Sequence, residues 1–208
     1  VDGKFFRAGG RKFHARGVTY GPFAPNANGE FFPSLEQALR DFQQIAELGA
    51  NLLRVYYVPP KWFLDLALEH GLRILVDVPW NKHLCFLDSP ILREEAAEAV
   101  RRAAHSCAGH PAIFAISVVN EIPADIVRWS GAHAVSAFIE DLIGIVKSVD
   151  PECLCTFGNY PPTEYLKAQN VDFACFNVYL HQPKPFENYL GRLQMIADSK
   201  PLILGEFG

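Results

Sequence analysis

A chain of 208 residues that is 50% hydrophobic has enough apolar material for one globular domain with its own core. The net charge is −4, and Lys and Arg are scattered, so the clustered basic footprint of a nucleic-acid binder is missing. No apolar run approaches the roughly 18 to 20 residues that span a bilayer, which excludes a membrane segment in this stretch. The start, Val1-Asp2-Gly3-Lys4, shows neither an initiating Met nor a signal peptide, as expected of a processed, tagged or excised chain.

Strand and helix signals then alternate. Phe13–Tyr20 reads as a first strand, followed by the long loop Gly21–Pro33. A nucleotide-binding sheet would carry Gly-x-Gly-x-x-Gly at that point, and Tyr20-Gly21-Pro22-Phe23 does not match it. Pro33-Ser34 opens a helix, with Ser34 as N-cap and Gln37 as its capping-box partner. Its stripe of Leu35, Ala38, Leu39, Phe42, Ile45 and Ala46 has helical period, and Gly49 ends it. Leu52–Tyr56 is the second strand, Trp62–Glu69 a short helix closed by Gly71, and Arg73–Asp77 the third strand. Beyond the loop Pro79–Pro90 come a helix over Ile91–Cys107 and the fourth strand, Ile113–Val118. One long helix over Asp125–Val149 precedes the fifth strand, Cys153–Phe157. A short helix near Thr163–Gln169 leads to the sixth strand, Phe173–Asn177. The loop Tyr179–Pro185, a helix over Phe186–Ala197 and the seventh strand, Leu202–Gly205, complete the pattern.

Near-continuous apolar strands suit a parallel sheet covered on both faces. Seven strand–helix repeats predict an α/β fold, a (β/α)₈ TIM barrel forming one domain over 1–208 and truncated after strand seven. A complete barrel of about 250 residues would add a helix, a strand and a helix. Open in this way, the barrel has two bare strand edges, which other domains of a larger protein or a second copy could cover.

Two carboxylates fall at the strand ends, where barrel enzymes keep their chemistry. Glu121 follows Ser117-Val118-Val119-Asn120, and Glu206 follows Leu202-Ile203-Leu204-Gly205. If their strands share a barrel, both face one pocket, the minimum equipment for cutting a glycosidic bond by acid catalysis with nucleophilic attack. The five cysteines, at 85, 107, 153, 155 and 175, are odd in number and form no Cys-x-x-Cys pair. They read as unpaired core thiols, which lean towards a reducing, cytoplasmic compartment. The seven His show no His-x-His or His-Glu-x-x-His spacing, so no metal is expected.

On these residues the chain resembles the clan of retaining glycoside hydrolases built on a (β/α)₈ barrel. In that clan the acid/base Glu follows an Asn at the end of strand four, and the nucleophile Glu ends strand seven. Asn120-Glu121 and Glu206 occupy those places by strand count. The stretches Arg16–Tyr20, Leu48–Tyr56 and Gly71–Asp77 are similar to two groups within it. One is the cell-wall β-1,3-glucanosyltransferases, the other the barrel domain of the β-galactosidase and β-glucuronidase family. The resemblance implies a retaining glycosidase or transglycosylase that acts on β-linked oligo- or polysaccharides without a cofactor. Glu121 would then be the acid/base and Glu206 the nucleophile. Asn120 would bond the sugar's 2-hydroxyl, Arg54 and Tyr179 would bond the Glu206 carboxylate, and Tyr56 would line the same subsite. The clan's aromatic sugar platform on strand eight has no position here.

The residues themselves leave alternatives open. Arg54, inside an apolar strand, needs a carboxylate partner, either Glu206 or Asp77. Tyr179 fits a core aromatic as well as a site residue. Trp80 and Trp129 are candidate sugar-stacking platforms or core rings, and His83 is a sugar contact or a solvated loop residue. A catalytically silent barrel that binds glycan as a module of a larger protein is the rival reading.

Overall fold

Strands that are apolar on both faces must be covered on both faces. The computed structural model of the protein, which describes residues 1–26 and 28–208, sets seven of them side by side. A short antiparallel hairpin of β1 (Phe6–Ala8) and β2 (Arg11–Phe13) comes first. The parallel strands follow: β3 (Gly17–Thr19), β4 (Leu52–Val55), β5 (Arg73–Asp77), β6 (Ile113–Asn120), β7 (Cys155–Asn159), β8 (Ala174–Val178) and β9 (Leu202–Phe207). They lie in chain order, each paired with the next, as a nearly closed barrel that stays open between β3 and β9.

Among the described residues six helices surround it: α1 (Leu35–Glu47), α2 (Lys61–Glu69), α3 (Pro90–Cys107), α4 (Ala124–Ser130), α5 (Ala132–Val149) and α6 (Pro183–Ala197). Ser34 caps α1 by accepting the Gln37 N–H at 3.2 Å, and Ser89 caps α3 through the Leu92 N–H at 3.3 Å. Each satisfies a donor that the first helical turn leaves unpaired. Among the described residues, no helix is long and apolar enough to cross a membrane.

Four elements differ from expectation, each for a local reason. The first strand divides, because Gly9-Gly10 (φ 56° and 77°) turns the chain into a hairpin that absorbs Phe13. Only Gly17–Thr19 pairs with β4. Phe6 of the hairpin plugs the lower end of the barrel, its ring 5.0 Å from Phe114 and 5.2 Å from Phe173. The expected long helix breaks at Gly131 (φ 86°) into α4 and α5.

The fifth strand begins at Cys155 instead of Cys153, where Asp172 accepts the Cys155 N–H at 2.7 Å. The short helix near 163–169 is absent. A 3₁₀ turn at Pro161–Thr163 gives way to a strap whose N–H groups find partners on α5. Lys167 donates to Ser136 Oγ at 3.3 Å and Gln169 to Glu140 Oε1 at 2.7 Å. Leu166 and Ala168 are buried in alternation, a strand-like period that the sequence pattern conceals.

Candidate active site

Both glutamates stand where the sheet register slips. Between Ser117 and Asn120, β6 takes three steps while β7 takes two, from Thr156 to Gly158. Between Leu204 and Glu206, β9 takes two steps while β8 takes one, from Phe176 to Asn177. An extra residue bends its strand and re-aims the next side chain. Here the two bulges turn Glu121 and Glu206 towards one amide. Asn177 Nδ2 donates to Glu121 Oε1 at 2.6 Å and to Glu206 Oε1 at 3.0 Å.

The surroundings of the two carboxylates are unequal. Glu206 Oε1 also accepts from Arg54 Nη1 and from the Tyr56 hydroxyl, both at 2.8 Å, and its Oε2 accepts from Tyr179 at 2.6 Å. Every group bonded to Glu206 is a donor, an arrangement suited to an anion. That bond to Glu206, aided by burial, pushes the Tyr179 hydroxyl up to about 12, so it remains a donor. The Tyr56 hydroxyl is raised by burial and by the Glu206 bond, against the pull of Arg54. Glu121 accepts only the Asn177 amide among the described residues.

Arg54 ties the site together. It is 3% exposed, and its Nε bonds Asp77 Oδ2 at 2.6 Å while Nη1 bonds Glu206. The two candidate partners are therefore engaged at once. Nη1 also meets Asn177 Oδ1 at 2.9 Å, and Nη2 meets Asn120 Oδ1 at 2.8 Å. Burial opposes the guanidinium's charge, but the charge of Asp77 and its hydrogen bond, with the charge of Glu206, outweigh it and raise its pKa. Removing Arg54 would strand the buried Asp77 carboxylate, at a cost of about 3–5 kcal/mol.

Close backbone approach makes room for this network. A Cβ on Gly205 would lie 2.8 Å from each of Arg54 Nη1, Asn177 Oδ1 and Cys175 Sγ. One on Gly158 would lie 2.5 Å from Asn120 Oδ1. We expect Gly205→Ala to lower stability by about 1–3 kcal/mol through overpacking. Gly144→Ala, in α5 with nothing within 4 Å of the new methyl, should raise it by about 0.5–1 kcal/mol. Urea denaturation midpoints check both, and a neutral Gly205→Ala would mean that the Arg54 network is looser than its geometry.

The other candidates lie as follows. Trp80 is half-buried and donates to the Val118 carbonyl at 2.9 Å, its ring edge-on to Phe86 at 5.0 Å and Phe138 at 5.9 Å. Trp129, at the end of α4, is 71% exposed, with its indole N–H held by Asp88 Oδ2 at 2.6 Å. His83 is exposed. Trp80, Trp129 and His83 share no hydrogen bond with the two glutamates, whereas Arg54, Tyr56, Asn120 and Tyr179 join one network with them.

Two further residues belong to the site. Asn177 holds both carboxylates, and the signal available for it was a polar residue closing an apolar strand, as with Arg54. Lys82, on the loop after β5, is half-buried, and its ammonium donates to the Asn120 carbonyl. Burial pulls Lys82 below the usual lysine range, against the attraction of Glu121, Asp77 and Glu206. Nothing in local periodicity marked it.

A cavity of about 1000 Å³ opens beside the network on the unclosed side of the barrel. Its walls are β3 and β9, and Arg54, Tyr56, Tyr179 and Glu206 line it.

No protein-family model matches the chain, and no curated protein matches its sequence. Solved structures do match in fold. A β-glucuronidase of Ruminococcus gnavus in complex with a C6-substituted uronic isofagomine superposes on 100% of the chain at 18% identity, with a TM-score of 0.82. A β-galacturonidase of Eisenbergiella tayi bound to galacturonate matches 100% of it at 19% identity and a TM-score of 0.80. β-Glucuronidase 2 of Bacteroides uniformis, covalently bound to cyclophellitol-6-carboxylate aziridine, matches 99% at 18% identity and a TM-score of 0.78. The chain spans 37%, 37% and 26% of those three proteins. It shares the barrel fold of these β-glycosidases.

Proposed function

We propose that the protein is a retaining glycoside hydrolase or transglycosylase, acting on β-linked glycans by double displacement without a cofactor. Glu206 attacks the anomeric carbon, while Glu121 protonates the leaving oxygen and then deprotonates the incoming water or sugar. Asn120 bonds the sugar's 2-hydroxyl, and Arg54, Tyr56 and Tyr179 hold Glu206 for attack. Trp129, largely exposed where Trp80 is packed edge-on against Phe86 and Phe138, is the more accessible of the two tryptophans for stacking on a sugar.

The observation that carries this reading is the shared Asn177 amide. Its bonds of 2.6 and 3.0 Å mean that the two oxygens are no farther apart than those lengths end to end. That favours the roughly 5–5.5 Å of a retaining pair over the roughly 6.5–9.5 Å that an inverting pair keeps for its water. The unequal surroundings of the two carboxylates favour the same division of roles. The covalent complex of the Bacteroides uniformis neighbour is in keeping with it. The bare edges of β3 and β9 favour another domain of a larger protein, or a second copy, as their cover.

The test is chemical trapping in the protein at its natural length. Across a panel of dinitrophenyl β-glycosides, a fluorosugar version of the best substrate should add one glycosyl unit, and peptide mapping should place it on Glu206. Proton NMR of the first product should show the β anomer. An α anomer with no adduct would overturn double displacement, and glycan capture without turnover on any glycoside would put the binding-module reading ahead.

A further inference from the structure

Glu121 has φ 49°, in the left-handed region, where a Cβ crowds the following carbonyl oxygen. Only two non-glycine residues among those described do so, and the other, Asp198, lies outside the site, just beyond α6. Strain of this kind persists only where the surroundings over-determine the backbone.

The peptide joining Asn120 to Glu121 is held at both edges. On one side the Glu121 N–H donates to the Gly158 carbonyl at 2.8 Å. On the other, the Asn120 carbonyl accepts the Lys82 ammonium. A peptide unit is planar and rigid, so fixing its N–H and its C=O together fixes its rotation. That rotation, relative to the Glu121 Cα, is φ of Glu121.

Lys82 is suited to this work and to little else visible at the site. Its ammonium has no carboxylate within ion-pair distance among the described residues, and the Asn120 carbonyl is the one hydrogen-bond partner of that ammonium there. The same loop makes a second contact of the same type, Trp80 to the Val118 carbonyl at 2.9 Å. Trp80 and Lys82 are two residues apart, as are Val118 and Asn120. The loop after β5 therefore supplies side-chain donors along the stretch where β6 slips against β7. Buried or half-buried carbonyls need such donors.

We propose that Lys82 is a positioning residue: by bonding the Asn120 carbonyl it locks the Asn120–Glu121 peptide and so holds the Glu121 carboxyl on the Asn177 amide, facing Glu206. This rests on the acid/base role proposed above for Glu121. It assigns Lys82 to the proton-transfer half of the reaction and gives it no contact with the sugar.

The test has a structural and a kinetic arm, both with Lys82→Met, which keeps an unbranched stem as far as the ε-carbon and removes the donor. In a crystal structure the Asn120–Glu121 peptide should rotate, and Glu121 should leave the left-handed region. In kinetics, kcat on alkyl or other poor-leaving-group glycosides should fall about 10- to 100-fold, at most the lower end of what a general acid contributes. Dinitrophenyl glycosides should change less than threefold, and KM should stay within twofold on both. Lys82→Arg should restore at least part of the lost rate. Lys82→Leu, which has no donor, serves in the same way if the Met variant does not fold.

Glu121 keeping φ near 49° in the variant crystal would overturn the proposal, whatever the activity. So would an equal loss on both leaving-group classes, or a loss carried by KM, since either would place Lys82 on the sugar. The crystallographic arm needs no turnover. A protein inactive on every glycoside would thus count against the glycosidase reading, while the Lys82 clamp would still be judged on the coordinates.

Discussion

Glu206→Gln should lower kcat by on the order of 10⁴-fold or more, with little change in fold. The substitution keeps the shape of the side chain and removes the lone pair that would form the glycosyl bond. All four groups bonded to Glu206 are donors: Arg54, Tyr56, Asn177 and Tyr179. An amide offers them one oxygen in place of two, and its NH₂ has to face a donor. Some stability should go with it, because hydrogen bonds to a charged group are worth about 1.5–3 kcal/mol each. Arg54 keeps Asp77 at 2.6 Å, so its charge is not stranded. Steady-state rates on a dinitrophenyl glycoside, beside near-ultraviolet circular dichroism and Tm, separate the two effects. A Gln variant within tenfold of the parent rate would remove Glu206 from the chemistry.

Glu121→Ala should split by leaving group. On alkyl glycosides, where the departing oxygen needs a proton, the loss should be about 10²–10⁴-fold. On dinitrophenyl glycosides formation of the intermediate should barely change, since that leaving group departs as an anion. Azide should then accelerate turnover and yield a glycosyl azide of retained configuration, because a nucleophile that needs no deprotonation bypasses the missing base. The alanine inherits the left-handed backbone of Glu121, so the variant isolates the carboxyl from the turn that carries it. Equal losses on both substrates, with no response to azide, would remove Glu121 from proton transfer.

How far the site was legible in advance depended on the kind of signal each residue carried. Arg54 stood out because a charge inside an apolar strand demands a partner, but only the folded chain shows one guanidinium bonding Asp77 and Glu206 together. Asn177 carried a fainter form of the same signal, as the polar close of an apolar strand. Lys82 carried none. A lysine in a Pro-rich loop looks solvated until the loop folds over β6 and its ammonium meets the Asn120 carbonyl. The segment after β7 went the other way. Its composition permits a helix, yet Ser136 and Glu140 of α5 take the N–H groups that a helix would need.

What the chain determined by itself was its alternation of strand and helix and the placing of two glutamates at strand ends. Burial on both faces and helical period are local properties, written in neighbouring residues. Only the tertiary structure decided how those glutamates face each other. The slips of β6 against β7 and of β9 against β8 are relations between strands, and side-chain period along one strand is the same with or without them. The shared Asn177 amide, the doubly bonded Arg54 and the peptide held by Lys82 and Gly158 all join residues far apart in the chain. Contacts of that kind exist only once the barrel has brought its strand ends together.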